Sequence, residues 1–456
     1  MSCHSTLSSR PFLRRTLSLA SAILLSGGSI AYSQDAVRPS LAGEAASEAR
    51  RQDIERIPYN LMVGPVRFRF SATAGIEYND NINLADDGDE LDDFIFRPHA
   101  NLNAIWPVTQ INTLRFDIGI GYAFYLDHSE ANTNGILLAP NSQIAFDIFV
   151  GDFRINIHDR FSLQQDPIAE LGLSNVVDYG RFQNYAGISV LWDLNKALLT
   201  LGYDHYNYIS TTDDFDYLDR SSEIVSGSLG FLLTSTTTVG LEASYIFNDY
   251  DQSLLNDSDT YSIGAFLETQ LSQYLRARVA GGYQKISFEG NGVVLGPFPS
   301  GVLTPIFIDN NFPGASVRDG TFVVFNDDND FNNFYVNLLI SHRLNSRISH
   351  SLSAGHEAQL GVNSNYIELN YVRHTITWNV VRNTLLSTEI FYEDADDSGG
   401  YVNEHLHRYG GALTIGYQLT PHVTLGLRYQ YTEKDSDVAF RDYDQNRVSL
   451  DGTYSF

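Results

Sequence analysis

Val423-Thr424-Leu425-Gly426-Leu427-Arg428-Tyr429-Gln430-Tyr431 decides the fold. Every odd position in it is apolar or aromatic, and every even position is polar or glycine. A period of two belongs to a strand with one apolar face. The C-terminal stretch repeats it: Val448, Leu450, Tyr454 and Phe456 alternate with Arg447, Ser449, Asp451, Thr453 and Ser455. Toward the N-terminus the rhythm returns in Phe334 to Ile340, Val239 to Phe247, Leu199 to Tyr203, Ile144 to Val150, Leu114 to Phe124 and Phe68 to Tyr78. Followed through the whole chain, it predicts about 18 strands between Phe68 and Phe456.

The connections alternate as well. Tight turns fall at Gly151-Asp152, Asn195-Lys196, Asn345-Ser346 and Thr420-Pro421. Between them lie longer, acidic loops: Asp80 to Asp93, Gln164 to Gly180, Thr211 to Arg220, Gly290 to Asp330 and Asp394 to Asn403. Only Gly361 to Asn365 is a short connection on the long side. Short turns at one end and long loops at the other are the pattern of an outer-membrane barrel. Trp106, Tyr122, Phe124, Trp192, Tyr245, Tyr417, Tyr429 and Tyr431 stand near strand ends on the apolar face, where amphipathic rings meet lipid headgroups. The fold class is therefore all-β: a transmembrane antiparallel barrel of about 18 strands with short periplasmic turns and long acidic outer loops.

Composition excludes the other classes. Of 456 residues 43% are hydrophobic, 12% aromatic and only 18% charged. With a mean hydropathy of -0.18 the chain is not a helical membrane protein, which needs repeated apolar runs of about 20 residues. Its 55 acids against 29 bases give a net charge of -26, which repels a nucleic-acid backbone. Cys3 is the sole cysteine, so disulfides and thiolate metal sites are ruled out.

Residues 1–33 read as a signal peptide. Arg10, Arg14 and Arg15 precede the apolar stretch Leu17 to Leu25, and Ala31-Tyr32-Ser33 offers small residues at a cleavage site. Cleavage would remove three arginines and no acid, taking the net charge from -26 to -29. Residues 34–67 form a periplasmic N-terminal extension in which Leu41 to Arg56 has helical composition. The barrel occupies 68–456.

Strand phase assigns a pore lining. It points Arg69, Arg115, Arg276, Arg278, Arg408, Arg428 and Arg447 inward, together with Glu242, Glu268, Glu357, Glu368 and Glu389. An arginine facing mid-membrane lipid would cost roughly 2–4 kcal/mol. The arginines gather where the last three strands meet the first, and the glutamates on other walls, so two readings stay open: a transverse field across a pore, or salt bridges that hold the barrel's shape. Asp159, Arg373 and His350 break the phase rule. The loop from Gly290 to Asp330, stiffened by Pro297, Pro299 and Pro305, is the expected constriction, with an outer hairpin or a surface-contact loop as alternatives.

Two features resemble a family. Tyr454-Ser455-Phe456 looks like the terminal aromatic signal that outer-membrane proteins present to the barrel-assembly machinery. Val63-Gly64-Pro65-Val66-Arg67-Phe68, Tyr78-Asn79-Asp80-Asn81-Ile82 and Arg97-Pro98-His99-Ala100-Asn101-Leu102 together resemble the outer-membrane β-barrel porins often encoded beside exopolysaccharide genes. The specific motifs cover the first hundred residues and the last ten. The resemblance implies outer-membrane lipid and lipopolysaccharide as surroundings, the assembly machinery as a partner through Phe456, and polysaccharide as a candidate partner.

No catalytic constellation stands out, since no Gly-x-Ser-x-Gly nucleophile motif occurs. No cofactor is expected. The acidic runs Asp86 to Asp93, Asp327 to Asp330 and Asp394 to Asp397 lack a complete calcium-loop spacing and read as solvated loops. His405 and His407 stand two apart on one strand face, a spacing compatible with metal, but with no third ligand evident they read as headgroup contacts and no metal is assigned. The expected function is a porin-like channel passing small polar solutes by passive diffusion. An accessory or export barrel for exopolysaccharide secretion, and a plugged structural or adhesive barrel, are the alternatives.

Overall fold

The computed structural model describes residues 59–133, 135–252, 255–289, 329–399 and 404–456. The signal peptide 1–33 and the helix expected over Leu41 to Arg56 lie outside the described residues.

Eighteen strands form one closed antiparallel sheet. They are β1 Val66–Asn79, β2 Asp93–Pro107, β3 Thr113–Gly121, β4 Leu137–Val150, β5 Phe153–Gln164 and β6 Arg181–Asp193. Then come β7 Ala197–Ser210, β8 Arg220–Thr234, β9 Thr237–Tyr250, β10 Ser258–Ser272, β11 Leu275–Phe288 and β12 Phe331–Arg343. The last six are β13 Ile348–Leu360, β14 Tyr366–Val381, β15 Thr384–Asp397, β16 His405–Gln418, β17 Val423–Ser436 and β18 Tyr443–Ser455. Each pairs with its chain neighbours, and β1 closes the ring on β18 from Ser71↔Ser455 to Asn79↔Arg447. A short strand, Leu61–Val63, folds back on the start of β1, and Phe124–Tyr125 extends β3 alongside β2.

The pleat sorts side chains by polarity, and in the reverse sense from a soluble protein. Along β9, Leu241 is 58% exposed on the outer face while Glu242 is 1% and Asn248 0% exposed inside. Ile263 (60%) on β10 and Ile390 (61%) on β15 repeat the outward apolar surface, and Gln284 (0%) on β11 the polar interior. Closure leaves no sheet edge, so every strand backbone finds partners inside the ring. Short turns such as Gly151-Asp152 need tight backbone geometry: Gly151 takes φ +58°, where a Cβ would be strained.

The upper half of the interior is not an open tube. Loops enter it and pack in apolar clusters, the largest joining Leu173, Val176 and Tyr179 to Tyr206, Tyr208 and Ile224 on the wall. This explains the one pore-lining assignment the fold reverses. On β14, Val372, Ile376 and Trp378 are exposed outward, so Glu368 shares the outer phase and Arg373 points in. The phase differs from the sequence expectation because Ile367, Leu369 and Tyr371 on the inner face pack against Leu171 of an entering loop. That segment is apolar on its inner face as well, and alternation there cannot tell inside from outside. His350 does face outward, set between His342 (3.1 Å) and His374 (3.2 Å). Asp159 accepts a hydrogen bond from Asn184 on the neighbouring strand.

Candidate functional site: a loop across the lumen

The segment 165–180 between β5 and β6 is read from sequence as an outer loop, and the structure corrects this. It turns into the barrel and crosses to the opposite wall. Its first turn is a 3-10 helix, Pro167–Ala169, capped by the Asp166 carboxylate, which accepts from the Ile168 amide at 3.1 Å. Pro167 lacks the amide that such a turn leaves unpaired. Ile168, Leu171, Leu173, Val176 and Tyr179 are all buried. A solvated loop would not carry so many apolar side chains, and that density was the available signal.

Charge grips the loop on its far side. Arg447 of β18 reaches Asp166 at 2.9 Å and Glu77 of β1 at 2.9 Å, and Arg97 of β2 also meets Glu77 at 3.2 Å. Arg408 of β16 donates to the Ile168 carbonyl at 2.8 Å while paired with Glu393 at 2.7 Å. Arg373 holds the other oxygen of Glu393 at 3.2 Å. Farther along, Lys434 donates to the Ser174 hydroxyl at 3.2 Å, and Arg441 donates to the Gly172 carbonyl. Both cations share the buried Glu404, at 2.9 Å and 3.1 Å. Counted through β4, β3, β2, β1, β18 and β17, strand β16 stands on the far side of the ring from β5. The loop is therefore a strap over the lumen. The loop Asp80 to Asp92 braces it: the Asn175 amide donates to the Leu84 carbonyl at 2.9 Å, joining two residues with φ of 60° and 50°.

Three carboxyls on the strap respond to pH, Asp166 in one sense and Glu170 and Asp178, both raised by burial, in the other. Burial works against the Asp166 carboxylate, but Arg447 and Arg97 outweigh it and hold its pKa below the ordinary value. Burial pushes the Glu170 carboxyl up, against the pull of Arg181, Arg220 and Arg408. Its buried Oε1 has no hydrogen-bond partner among the described residues. For Glu170 the folded strap binds the proton more tightly than a released one. Its stabilisation is complete below about pH 4.3 and is lost as pH rises through the raised folded value. For Asp166 stabilisation is present above about pH 3.9 and lost only as pH falls through the lower folded value. Proteolytic cutting of the strap is thus expected to quicken as pH rises from about 4.3 through the raised folded value of Glu170. Glu170→Gln, which stays neutral, is expected to weaken that dependence, with Asp178 keeping the remainder; an unchanged profile would show that Glu170 does not contribute to it.

The pore-lining residues predicted from sequence are spread over the wall. Arg408, Arg447 and Glu389 belong to the wall that carries the strap, where Glu389 meets Arg373 at 3.8 Å. Arg428 lies on the same wall and donates to Gln430 at 2.9 Å. Arg278 and Glu242 bind each other at 2.6 Å, with Tyr335 donating to Glu242 at 3.0 Å, and Arg115 meets the buried Asp147 at 3.2 Å. Glu268, Arg276 and Arg278 line a cavity of ≈ 590 Å³ near the short turns, with Arg343, Asn337 and Thr375. Arg69 lines a smaller recess with Thr73 and Asp117. Among the described residues no ion pair engages Arg69 or Arg276. Glu357 is buried in the inner phase of β13. Glu368, on the outer phase, is bonded by Asn333 at 3.0 Å and lies 3.3 Å from His356.

Basic and acidic side chains thus neutralise each other across much of the wall, which favours shape-holding salt bridges over an open transverse field. The roles of Lys434 and Arg441 are not legible in sequence, since Ser174 and Gly172, which they hold, lie 260 and 269 residues away; Arg97 and Arg373 pair instead with Glu77 and Glu393 on adjacent strands. Of the expected constriction Gly290 to Asp330, residues 290–328 lie outside the described residues. His405 and His407 do face outward near the rim, and the fold brings the carboxylate of Asp394 beside them, which the sequence did not reveal.

No protein family matches the chain, and no curated protein matches it. Solved structures of similar shape include a BenF-like porin from Pseudomonas fluorescens Pf-5, 12% identical, with TM-score 0.46 over 85% of this chain and 99% of that one. OccK2 (OpdF) of Pseudomonas aeruginosa is 12% identical, with TM-score 0.46 over 85% of this chain and 98% of that one. OccK5 (OpdH) of the same organism is 10% identical, with TM-score 0.43 over 86% and 99%.

Proposed function

We propose that this protein is an outer-membrane channel for small polar solutes in which the strap 165–180 sets the width of the mouth. The observation that carries the reading is the pairing of an apolar outer surface with a polar interior. A lipid-facing band and a wet lumen require that division, and a soluble barrel has no use for it. An 18-stranded barrel is wide enough for an aqueous path unless something crosses it. The strap is that something, and beneath it the cavity around Glu268, Arg276 and Arg343 remains.

Planar-bilayer recording of the purified chain tests this. Discrete conductance steps are expected, and Arg276→Glu is expected to move the reversal potential toward cation selectivity, because among the described residues no ion pair neutralises that arginine. Silence across salts and voltages would overturn the channel. A second reading, a plugged structural or adhesive barrel, is favoured by the apolar cluster around Leu173 and Tyr179 that fills the mouth. It predicts that silence. The export role for exopolysaccharide rests on the sequence resemblance alone. Phe456 remains 61% exposed at the chain's end, accessible to an assembly partner.

A further inference from the structure

We infer that Asp394, His405 and His407 form a binding site for a divalent transition-metal ion of the zinc class on the outer rim of the barrel. Each offers a ligand atom, and the three atoms lie within 4.8 Å of one another. The sheet register creates the grouping. His405 and His407 share one face of β16, and on β15 Asp394 stands directly opposite His407 and Asp396 opposite His405. Alternate residues on one strand are about 7 Å apart and facing residues about 5 Å, a spacing that lets long side chains converge on one point.

The present separations suit a metal. His407 Nδ1 lies 3.0 Å and His405 Nε2 3.8 Å from the same Asp394 oxygen. Ligand atoms held at about 2.1 Å from a tetrahedral ion sit about 3.4 Å apart, between those two values. Imidazole nitrogen with one carboxylate oxygen selects zinc, copper or nickel over calcium or magnesium, which prefer all-oxygen cages.

A second carboxylate prepares the site. Asp396 lies 2.6 Å from His405 Nδ1. Taking the proton of that nitrogen into a hydrogen bond leaves the lone pair on Nε2, the atom aimed at Asp394. A carboxylate behind a ligating histidine fixes its tautomer and raises its basicity. The backbone amide of His405 donates to Asp437 at 2.8 Å, which steadies the start of β16. His405 and His407 are 43% and 41% exposed at the side chain, so an ion can reach them and water can complete the coordination.

Isothermal titration of the full, untagged chain in detergent micelles with Zn2+ tests the site, alongside the visible absorption of the Co2+-loaded protein. One equivalent is expected to bind here, with the Co2+ bands of a low-symmetry site. The double variant His405→Ala, His407→Ala is expected to lose that equivalent and the bands, and Asp396→Asn to weaken binding roughly 10–100-fold. His350→Ala, in the separate row His342, His350 and His374, is expected to leave both signals unchanged. Heat-modified gel mobility reports that each variant is folded. Retention of the equivalent in the folded double variant, or its loss in His350→Ala alone, would overturn the inference. So would a wild-type chain that binds neither ion.

Discussion

Replacing Ile168 to Asp178 by a short glycine-serine link is expected to raise single-channel conductance roughly tenfold, since a barrel of this size otherwise encloses an aqueous channel. The replacement removes the residues that bar the mouth and leaves all eighteen strands in place. It also removes the apolar side chains Leu171, Leu173 and Val176 that bury themselves in the interior. Some interior surface then becomes wet: Tyr206 and Tyr208 lose their cover, and Arg408 and Lys434 lose acceptors on the strap. Those cations keep Glu393 and Glu404, so the wall stays neutralised and the barrel is expected to remain folded. Bilayer conductance at matched salt is the measurement, with heat-modified mobility as the folding control. A folded variant with the conductance of the parent would show that the strap does not limit passage.

The second large effect is expected from Glu404→Ala. Glu404 is buried between Lys434, itself fully buried, and Arg441. It also accepts from the Ser436 hydroxyl at 2.7 Å. Truncating it leaves two cations in the interior without their shared anion. Breaking a buried ion pair from one side typically costs about 3–5 kcal/mol, because the remaining charge is neither solvated nor compensated. The consequence reaches the strap, since Lys434 and Arg441 are the groups that hold Ser174 and Gly172. Denaturant midpoints in micelles should fall, and protease should cut between Leu171 and Tyr179 more readily. Glu404→Gln, which keeps shape and one acceptor, should fall between the two. If Glu404→Ala matched the parent in both measurements, the three-residue cluster would not be what fastens the strap.

The two experiments separate cause from consequence. Loop replacement acts on the obstruction itself, whereas Glu404→Ala leaves every strap residue in place and weakens only its fastening. Raised conductance in both, with a smaller rise in the second, is the pattern a pinned strap produces.

Much of the barrel was legible in the sequence because lipid and water impose opposite demands on adjacent residues. A strand such as Val423–Ser436 must therefore alternate, and each alternating run marks one crossing. The strand count and the short-turn and long-loop ends follow from that constraint, which acts residue by residue and needs no knowledge of neighbours. The phase of β14 did not follow, and neither did the path of 165–180. Inside the mouth a loop supplies apolar surface in place of water, so Ile367 and Leu369 can be buried facing inward and Arg373 can find Glu393 there. Which loop enters and which distant cations hold it depend on closure between strands separated in the chain, and that Asp394 arrives opposite His407 depends on the register of one hairpin. Local periodicity carries no information about such pairings, because it fixes which face a side chain takes and not which partner stands across from it.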